Sequence, residues 1–542
     1  MPDQDKNIGE GASSTGAFSD VSGVRAEQSG PDTDGLVAGG PDTDGLVVGG
    51  LDTDGFVTGG PDTDRPAAGE PAPGGAAHPS GVAAHPSGGG KRDQSFSAKR
   101  EAMTTAPVEK LVLRMAIPTI STMMITSAYS MTDTYFISTL GTSATAAVGI
   151  AFPLMAVIQA FGFFFGQGSG NYISRELGAN RMDNAARMAT TGFFSSLAAG
   201  AVLAVIWLIF LEPLALLLGS TPTILPYAVD YLRFTILGTP FMIGSLVLNN
   251  LLRYQGSAFY GMVGMTCGAI MNILLDPLFI FALGMGVSGA SLATLFSQMF
   301  GCAILLAGST KKDNIRIRPK LFSPSGKAYY EMLRGGLPSL CRQGISSVAA
   351  VVLNQFARGY GDAAIAAISI VQRVTMMSYS ALIGFGQGFQ PVCGFNFGAG
   401  RYDRVKRAFW FCIKVSAVFL VLFGVVLFVF ATPIITIFRA DDAEVIRIGS
   451  LSLKLQAIAY PLFGWVIFNN MMMQTTGKPV HASILSLSRQ GLFLLPALFI
   501  SVPLLGLLGI QISQPIADAG SFILAIPLYN NVRKGFNERK GW

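Results

Sequence analysis

The chain has 542 residues, half of them hydrophobic and only 13% charged, with a mean hydropathy of +0.48. Soluble domains carry about 25% charge, so a soluble globular body is excluded. Residues 1–108 hold 7 Lys/Arg against 16 Asp/Glu, and the remainder holds 31 against 16. The basic pI therefore belongs to the apolar part, where it reads as membrane loops rather than a nucleic-acid partner.

In chain order, residues 1–108 read as a disordered, low-complexity cytoplasmic tail. GPDTDGLVAG, GPDTDGLVVG, GLDTDGFVTG and GPDTDRPAAG follow one another from Gly30, and AAHPSG occurs at Ala76 and Ala83. Asp-Gly and Pro-Asp favour turns, and the apolar content is too small to offset chain entropy. The Asp-x-Asp-Gly pieces lack the further oxygens and distal Glu of a calcium loop. No n-region and h-region open the chain, so a cleaved signal peptide is not expected.

From Leu111 onward come stretches long enough to cross ~30 Å of hydrocarbon as helices. Twelve spans are expected, near 112–138, 145–174, 188–210, 226–250, 261–283, 289–308, 335–357, 364–396, 408–430, 447–473, 482–503 and 508–529. Counted from a cytoplasmic N-terminus, the inner connections and C-terminal tail hold 20 Lys/Arg, while the outer loops hold only Arg358 and Arg439. That bias places both termini in the cytoplasm. The expected organisation is an N-lobe over 109–310, a cytoplasmic linker over 311–334, a C-lobe over 335–529 and a basic tail over 530–542.

A phrase recurs. FGQGSGNYISRELGANRMDNAAR begins at Phe165 and FGQGFQPVCGFNFGAGRYDRVKR at Phe385, 220 positions later. At the same offset Pro118 pairs with Pro338, and Arg181, Asp183 and Arg187 pair with Arg401, Asp403 and Arg407. Six spans per half give both halves one orientation, a parallel repeat about an axis along the membrane normal. Small residues in the phrase permit close packing of each half's second helix, and its basic turn anchors that helix inside.

Motifs for other chemistry are missing. Cys267, Cys302, Cys341, Cys393 and Cys412 form no C-x-x-C pair, no H-E-x-x-H occurs, and no G-x-x-x-x-G-K-[ST] is present. A zinc site, an intramembrane metalloprotease and a P-loop ATPase are therefore not expected. Nor does a nucleophile–base pair share one depth, as a membrane enzyme would need.

Pro118 through Asp133-Thr-Tyr-Phe-Ile-Ser-Thr-Leu-Gly, the two FGQG…GA-x-R-x-D phrases, and Asn272-Ile-Leu-Leu-Asp276-Pro-Leu-Phe-Ile-Phe resemble the multidrug and toxic compound extrusion (MATE) family in its bacterial branch. The resemblance implies an all-α polytopic protein with twelve transmembrane helices in two six-helix lobes arranged as a V. It also implies export of amphipathic organic cations in exchange for protons or Na+. The expected setting is a cell (inner) membrane, with a monomer acting on small organic cations, no nucleic acid and no cofactor beyond the coupling ion. Two departures stand out: the seventh span reads Leu-Pro-Ser-Leu-Cys-Arg342-Gln343 where some members carry an acid, and Gln255 follows the fourth span in place of another.

Charges inside a membrane cost roughly 2.5–3.5 kcal/mol each on insertion scales, which makes them functional by default. At 1.5 Å per residue, Asp133, Asn272, Asp276, Thr294 and Tyr231 fall at similar depth in the outer half of the N-lobe. The resemblance puts its cation-coupling cluster on Asp133, Asn272, Asp276 and Thr294, with Tyr129 and Tyr231 nearby. The candidate ion is H+ or Na+, Asp133, Asn272, Asp276 and Thr294 being the residues that could hold Na+, and no other metal site is expected. Pro277 frees the carbonyl of Ile273 and bends the span beside the acid. Asn249 and Arg253 lie too near the cytoplasmic end to join. In the C-lobe, Arg373 and Asp518 share a depth and are expected to pair, chiefly for packing. Lys414 snorkels to the inner interface. Met123, Met124, Met131, Met376, Met377, Tyr379 and Gln343 are candidates for an adaptable substrate cavity.

Two other two-lobed carriers share parts of this pattern. A major facilitator lacks the long FGQG lead-in and the Asp-Pro of span 5. A lipid-linked oligosaccharide flippase favours a cationic cavity, whereas the N-lobe charges here are acidic. The tail stands outside the repeat, so deleting residues 1–100 is expected to leave transport intact. The topology makes a direct prediction: cysteine placed in the Gly141–Ser143 loop reacts with an impermeant thiol reagent from outside the cell, and cysteine placed in 311–318 does not.

Overall fold

The computed structural model describes residues 90–311, 313–439 and 442–537. The expected disorder of residues 1–89 concerns residues outside the described ones. Every regular element among the described residues is helical: α1 (Gly90–Thr105), α2 (Val108–Ser138), α3 (Thr142–Gly178), α4 (Met182–Ile209), α5 (Leu211–Leu217), α6 (Leu225–Tyr254), α7 (Ala258–Pro277) and α8 (Gly286–Ser309) lead to α9 (Gly326–Arg358), α10 (Asp362–Gly398), α11 (Tyr402–Val429), α12 (Ala431–Phe438), α13 (Ala443–Thr475), α14 (Pro479–Leu487), α15 (Leu495–Leu505) and α16 (Leu507–Asn537). A π-helical turn, Leu278–Ala282, extends α7, and a second one, Ser488–Leu494, joins α14 to α15.

Eleven of these segments are long and apolar enough to cross a membrane. The twelfth is α16, 31 residues long and diluted by Gln511, Ser513, Asp518 and Ser521, all of which are buried against protein. The twelve spans thus fall where the apolar stretches put them, but each runs on past its hydrocarbon-length core. The seventh is the clearest case: α9 starts at Gly326 because the Ser325 hydroxyl accepts a hydrogen bond from the Ala328 N–H at 3.2 Å. The connection between the lobes is correspondingly shorter than the expected 311–334.

The repeated phrase makes the same turn twice. After α3, the Ala179 N–H donates to the Arg175 carbonyl at 2.9 Å, and the Arg181 N–H donates to the Glu176 carbonyl at 2.8 Å. After α10 the equivalent bonds join Ala399 to Phe395 and Arg401 to Asn396, each 2.9 Å. Both turns need one left-handed residue, Asn180 at φ 62° and Gly400 at φ 72°, which closes the last carbonyls of the helix.

Each phrase also packs tightly across the molecule. α3 packs on α9, and α10 packs on α2, so the second helix of each lobe lies against the first helix of the other. A Cβ on Gly168 would stand 2.4 Å from the Met332 carbonyl oxygen, and one on Gly388 would stand 2.5 Å from the Ala116 Cα. At Gly336 and Gly384 the obstructing backbone is that of Phe164 and Ile120, at 2.2 and 2.8 Å. Close packing of the second helix was expected; it is made both within the lobe, α3 on α6 and α10 on α13, and across to the opposite lobe. The lobes meet at the end that carries the two basic turns.

Helix α1 corrects the expectation of disorder through residue 108. It docks on α3 and α10, burying only Phe96 and Met103 among its apolar side chains. Polar bonds fix it. Arg100 Nε donates to the Gly178 carbonyl at 2.9 Å, Asn396 Nδ2 to the Met103 carbonyl at 3.2 Å, and Arg401 Nη1 to the Thr104 carbonyl at 2.8 Å. Two apolar anchors in sixteen residues leave no amphipathic period to read, which is why composition alone pointed to disorder. A deletion that spares this helix must stop at residue 89, not 100.

Lys99 of α1 donates to the Ser257 hydroxyl at 2.5 Å, the Asp313 carbonyl at 3.0 Å and Asn314 Oδ1 at 3.2 Å. Burial nonetheless lowers its ammonium to about 8, against about 10.4 for a free lysine. Between those values the undocked helix holds more protons than the docked one, so docking strengthens as pH rises from about 8 to about 10. A spin label at exposed Ser97 is expected to lose mobility over that interval, and Lys99→Gln to remove the dependence.

Candidate functional site

In the N-lobe, α2 supplies Tyr129 and Asp133 from one face, a turn apart, and α7 supplies Asn272 and Asp276 in the same way. Thr294 comes from α8 and Tyr231 from α6. Asn272 Nδ2 donates to Asp276 Oδ1 at 3.2 Å and to the Thr294 hydroxyl at 3.4 Å. Asp276 and Asn272 are inaccessible, and Asp133 is 8% exposed. Tyr129, Asp133, Tyr231 and Thr294 line a cavity of about 200 Å³, and the Asn272 bonds to Thr294 and Asp276 tie the second acid to its wall. The six residues expected from depth and resemblance therefore stand together.

The cluster is not internally satisfied. Asp133 Oδ1, Asp276 Oδ2 and Asn272 Oδ1 are buried and accept no hydrogen bond from any described residue. A buried polar atom left without a partner costs about 1–3 kcal/mol. Three such oxygens in one place fit a group that brings positive charge or donors. At Pro277, immediately after Asp276, α-helical winding gives way to the π-helical turn. The bend expected there is thus a change of winding beside the acid, a feature frequent at functional sites.

The same cavity runs deeper, to Asn249, Asn250, Arg253 and Gln387. Arg253 makes no bond to the acids, as its depth implied, but it forms the floor. Its guanidinium donates to Gln387 of α10 and, at 2.5 Å, to Asn250 Oδ1. The repeat partner of Gln387 is Gln167, whose Oε1 accepts from the Ser339 hydroxyl of α9 at 2.6 Å. Each FGQG glutamine thus bonds to the opposite lobe. Sequence reading passed over both, although an amide inside a Gly-rich membrane phrase, repeated at one offset, was the available signal.

The C-lobe departs from expectation. Asp518 pairs with Arg489, not with Arg373: Arg489 Nε donates to Asp518 Oδ1 at 2.6 Å. Arg373 is exposed on α10 and lines neither C-lobe recess, whereas Arg489 lies in the π-helical turn between α14 and α15. Arg489 was legible as the one ionisable residue in the 482–503 span. Gln343, Met376 and Tyr379 line a cavity of about 320 Å³ around this pair. Met131 is not among the residues lining the N-lobe cavity, where Met123 is. Met124 and Met377 are exposed. Leu353 and Leu495 stand 220 and 219 positions after Asp133 and Asp276, so the C-lobe repeats the scaffold without the acids.

The MatE family model matches this chain twice, over residues 118–278 and 338–500, once in each lobe. The chain belongs to the MATE family. It is accordingly a multi-pass membrane transport protein and not an enzyme. It is 30% identical over 426 residues to the multidrug export protein MepA of Staphylococcus haemolyticus, covering 78% of this chain and 94% of that one. The Staphylococcus aureus (strain NCTC 8325 / PS 47) protein of the same name is 28% identical over 418 residues. Among solved structures, an outward-facing multidrug resistance MATE family transporter of the MOP superfamily superposes with a TM-score of 0.74 at 26% identity, covering 81% of this chain and 98% of that one. A MATE protein in a bent conformation gives 0.75 at 26% identity, covering 82% and 98%.

For this MATE protein the floor of the N-lobe cavity depends on how closely the lobes meet. Gly388→Val places a branched side chain against the Ala116 backbone, which cannot yield as a flexible side chain would. Spin labels at exposed Asp183 and Asp403, one on each lobe's basic turn, are expected to move apart. Stability is expected to fall by about 1–3 kcal/mol, the usual cost of overpacking.

Proposed function

We propose that this protein exports amphipathic organic cations, drugs and dyes among them, by exchange for H+ or Na+, and that it works as a monomer in a cell (inner) membrane with both termini cytoplasmic. The observation that carries the reading is the set of three unpartnered buried oxygens on Asp133, Asn272 and Asp276 beside a cavity. The names of the MepA relatives support export of multiple drugs.

The acids set the mechanism. Two carboxylates in a low-dielectric lobe resist both being ionised without a neutralising partner. A proton shared between Asp133 and Asp276 supplies that partner. So does Na+ held by their oxygens with Asn272 Oδ1 and the Thr294 hydroxyl, which are the hard oxygen donors such an ion takes. The positive-inside bias assigns the basic turns to the cytoplasm, so the lobe contact at Gly168 and Gly388 closes the cytoplasmic side. In that state the N-lobe loads its cation from outside. An organic cation arriving from the cytoplasm competes for the same acids, and this difference in affinity between states is what exchange requires. The π-helical turn after Pro277 gives α7 a place to change winding as the site fills and empties.

Proteoliposomes with separately imposed pH and Na+ gradients, reporting ethidium efflux, test the reading. Asp133→Asn and Asp276→Asn are each expected to reduce gradient-driven export to the passive leak at normal expression, while Asp518→Asn loses less. Export by both N-lobe variants against the gradient, with unchanged dependence on pH and Na+, would move the coupling site elsewhere.

A further inference from the structure

The C-lobe cavity has an excess of arginine, whereas the N-lobe one is lined by one acid, Asp133, and one arginine, Arg253. Among the residues lining its two adjoining recesses, of about 320 and 40 Å³, only Arg342, Arg489 and Asp518 are charged. Asp518 is the withdrawn member: its side chain is 6% exposed against 21% for Arg489. Its Oδ1 also accepts from Gln514 Nε2 at 3.2 Å, so that oxygen is engaged twice.

Arg489 is positioned and underused. Asp518 holds it through Nε alone, and its guanidinium lies 4.0 Å from the Phe463 ring centroid and 5.8 Å from that of Tyr379. Those contacts fix the plane of the fork, yet the two terminal nitrogens bond to no described residue. Arg342, on α9 across the smaller recess, makes no hydrogen bond or ion pair with any described residue. A guanidinium among membrane helices is expensive unless its donors are used, and its fork geometry suits a carboxylate or phosphate bidentately. The volume of the larger recess falls at the lower end of small-ligand sites, and Tyr379, Phe463 and Met376 offer it an apolar wall.

We infer that the C-lobe cavity is a binding site for the oxyanion of an amphipathic molecule, received by the free fork of Arg489 together with Arg342, with the apolar body against Phe463 and Tyr379. Asp518 is a positioning residue: it orients Arg489 and leaves the terminal nitrogens to the ligand. The site is independent of the acids assigned to coupling, so it stands or falls apart from that assignment. A dissolved carboxylate and the phosphate of a lipid headgroup share the required chemistry.

The test is isothermal titration of the full chain in phosphatidylcholine nanodiscs with 2-naphthoate and its uncharged counterpart, 2-naphthamide. Naphthoate is expected to bind at least about tenfold more tightly, a 1.4 kcal/mol difference, and Arg342→Gln to erase that preference without changing naphthamide binding. Arg489→Gln alone strands the Asp518 charge and risks misfolding. The paired variant Arg489→Gln with Asp518→Asn removes both charges and is expected to lose the same preference. Exposed Arg373→Gln serves as the control and leaves it intact. Replacing part of the lipid by phosphatidylglycerol separates the sources. Competition with naphthoate that disappears in Arg342→Gln identifies a headgroup as the occupant, and no competition identifies a dissolved carboxylate. Equal binding of naphthoate and naphthamide, or a naphthoate preference that survives both the Arg342 and the paired substitutions, overturns the proposal.

Discussion

Backbone-to-backbone contact between the lobes is the constraint on which the remaining structure depends. Two helices can approach closely where one of them lacks a side chain at the contact, as here at Gly168, Gly336, Gly384 and Gly388. Because α3 meets α9 and α10 meets α2 in the same way, the contact is repeated about the pseudo-axis. The repeat of the FGQG phrase is therefore a consequence of symmetry at an interface: each lobe must bring the same small-residue face to its neighbour.

Close approach removes water, and every polar group left there must then find a protein partner. The bonds that answer this requirement are shared out across the lobes. Gln474 Nε2 donates to the Ser339 hydroxyl at 2.8 Å and to the Gly335 carbonyl at 2.7 Å, and the Thr475 hydroxyl donates to Asn171 Oδ1 at 2.9 Å. Arg175 joins Glu331 at 3.0 Å and the Thr475 carbonyl at 3.1 Å. Neutral amides and hydroxyls dominate. Such bonds are individually modest, about 0.5–1.5 kcal/mol net, so the interface can be rearranged without stranding a large buried charge. Arg253 and Arg175 are the exceptions, and each keeps donors to uncharged partners that a shifted interface can replace one at a time.

How much of this was legible follows from what each signal depends on. Span positions depend on hydrocarbon length, which Phe193–Phe210 and Val415–Phe430 report directly, so they emerged from the residues alone. The N-lobe cluster was legible because Asp133 and Asp276 are costly in a membrane and because Asn272 and Asp276 lie four apart on one helical face. The C-lobe pair was misassigned because depth says nothing about rotation around a helix axis: Arg373 and Asp518 share a depth, but Arg373 is turned outward. Arg489 enters the cavity from a π-helical turn, where the 3.6-residue period used to place side chains does not hold. Helix α1 was missed for a different reason, since its contacts are polar and long-range and leave no periodic trace.

One scaffold used twice need not do the same chemistry twice. Repetition fixes what the interface demands: Gly168 and Gly388 and the amides Gln167 and Gln387 are kept in both halves, and each basic turn has one left-handed residue, Asn180 or Gly400. Inside each lobe no such demand operates, and the halves diverge. Asp133 and Asp276 have leucines as their counterparts, Leu353 and Leu495, although the proline after the second of them, Pro277 or Pro496, is present in both halves. The π-helical turns also differ in place: one follows Pro277, while the other precedes Pro496 and carries Arg489. A shift of winding by a few residues is enough to present a different side chain to the same cavity position. Two arginines and one acid line the C-lobe cavity, whereas the unpartnered acids belong to the N-lobe, whose cavity reaches the other lobe at Gln387, so a rearrangement at the glycine contact reaches the N-lobe site directly.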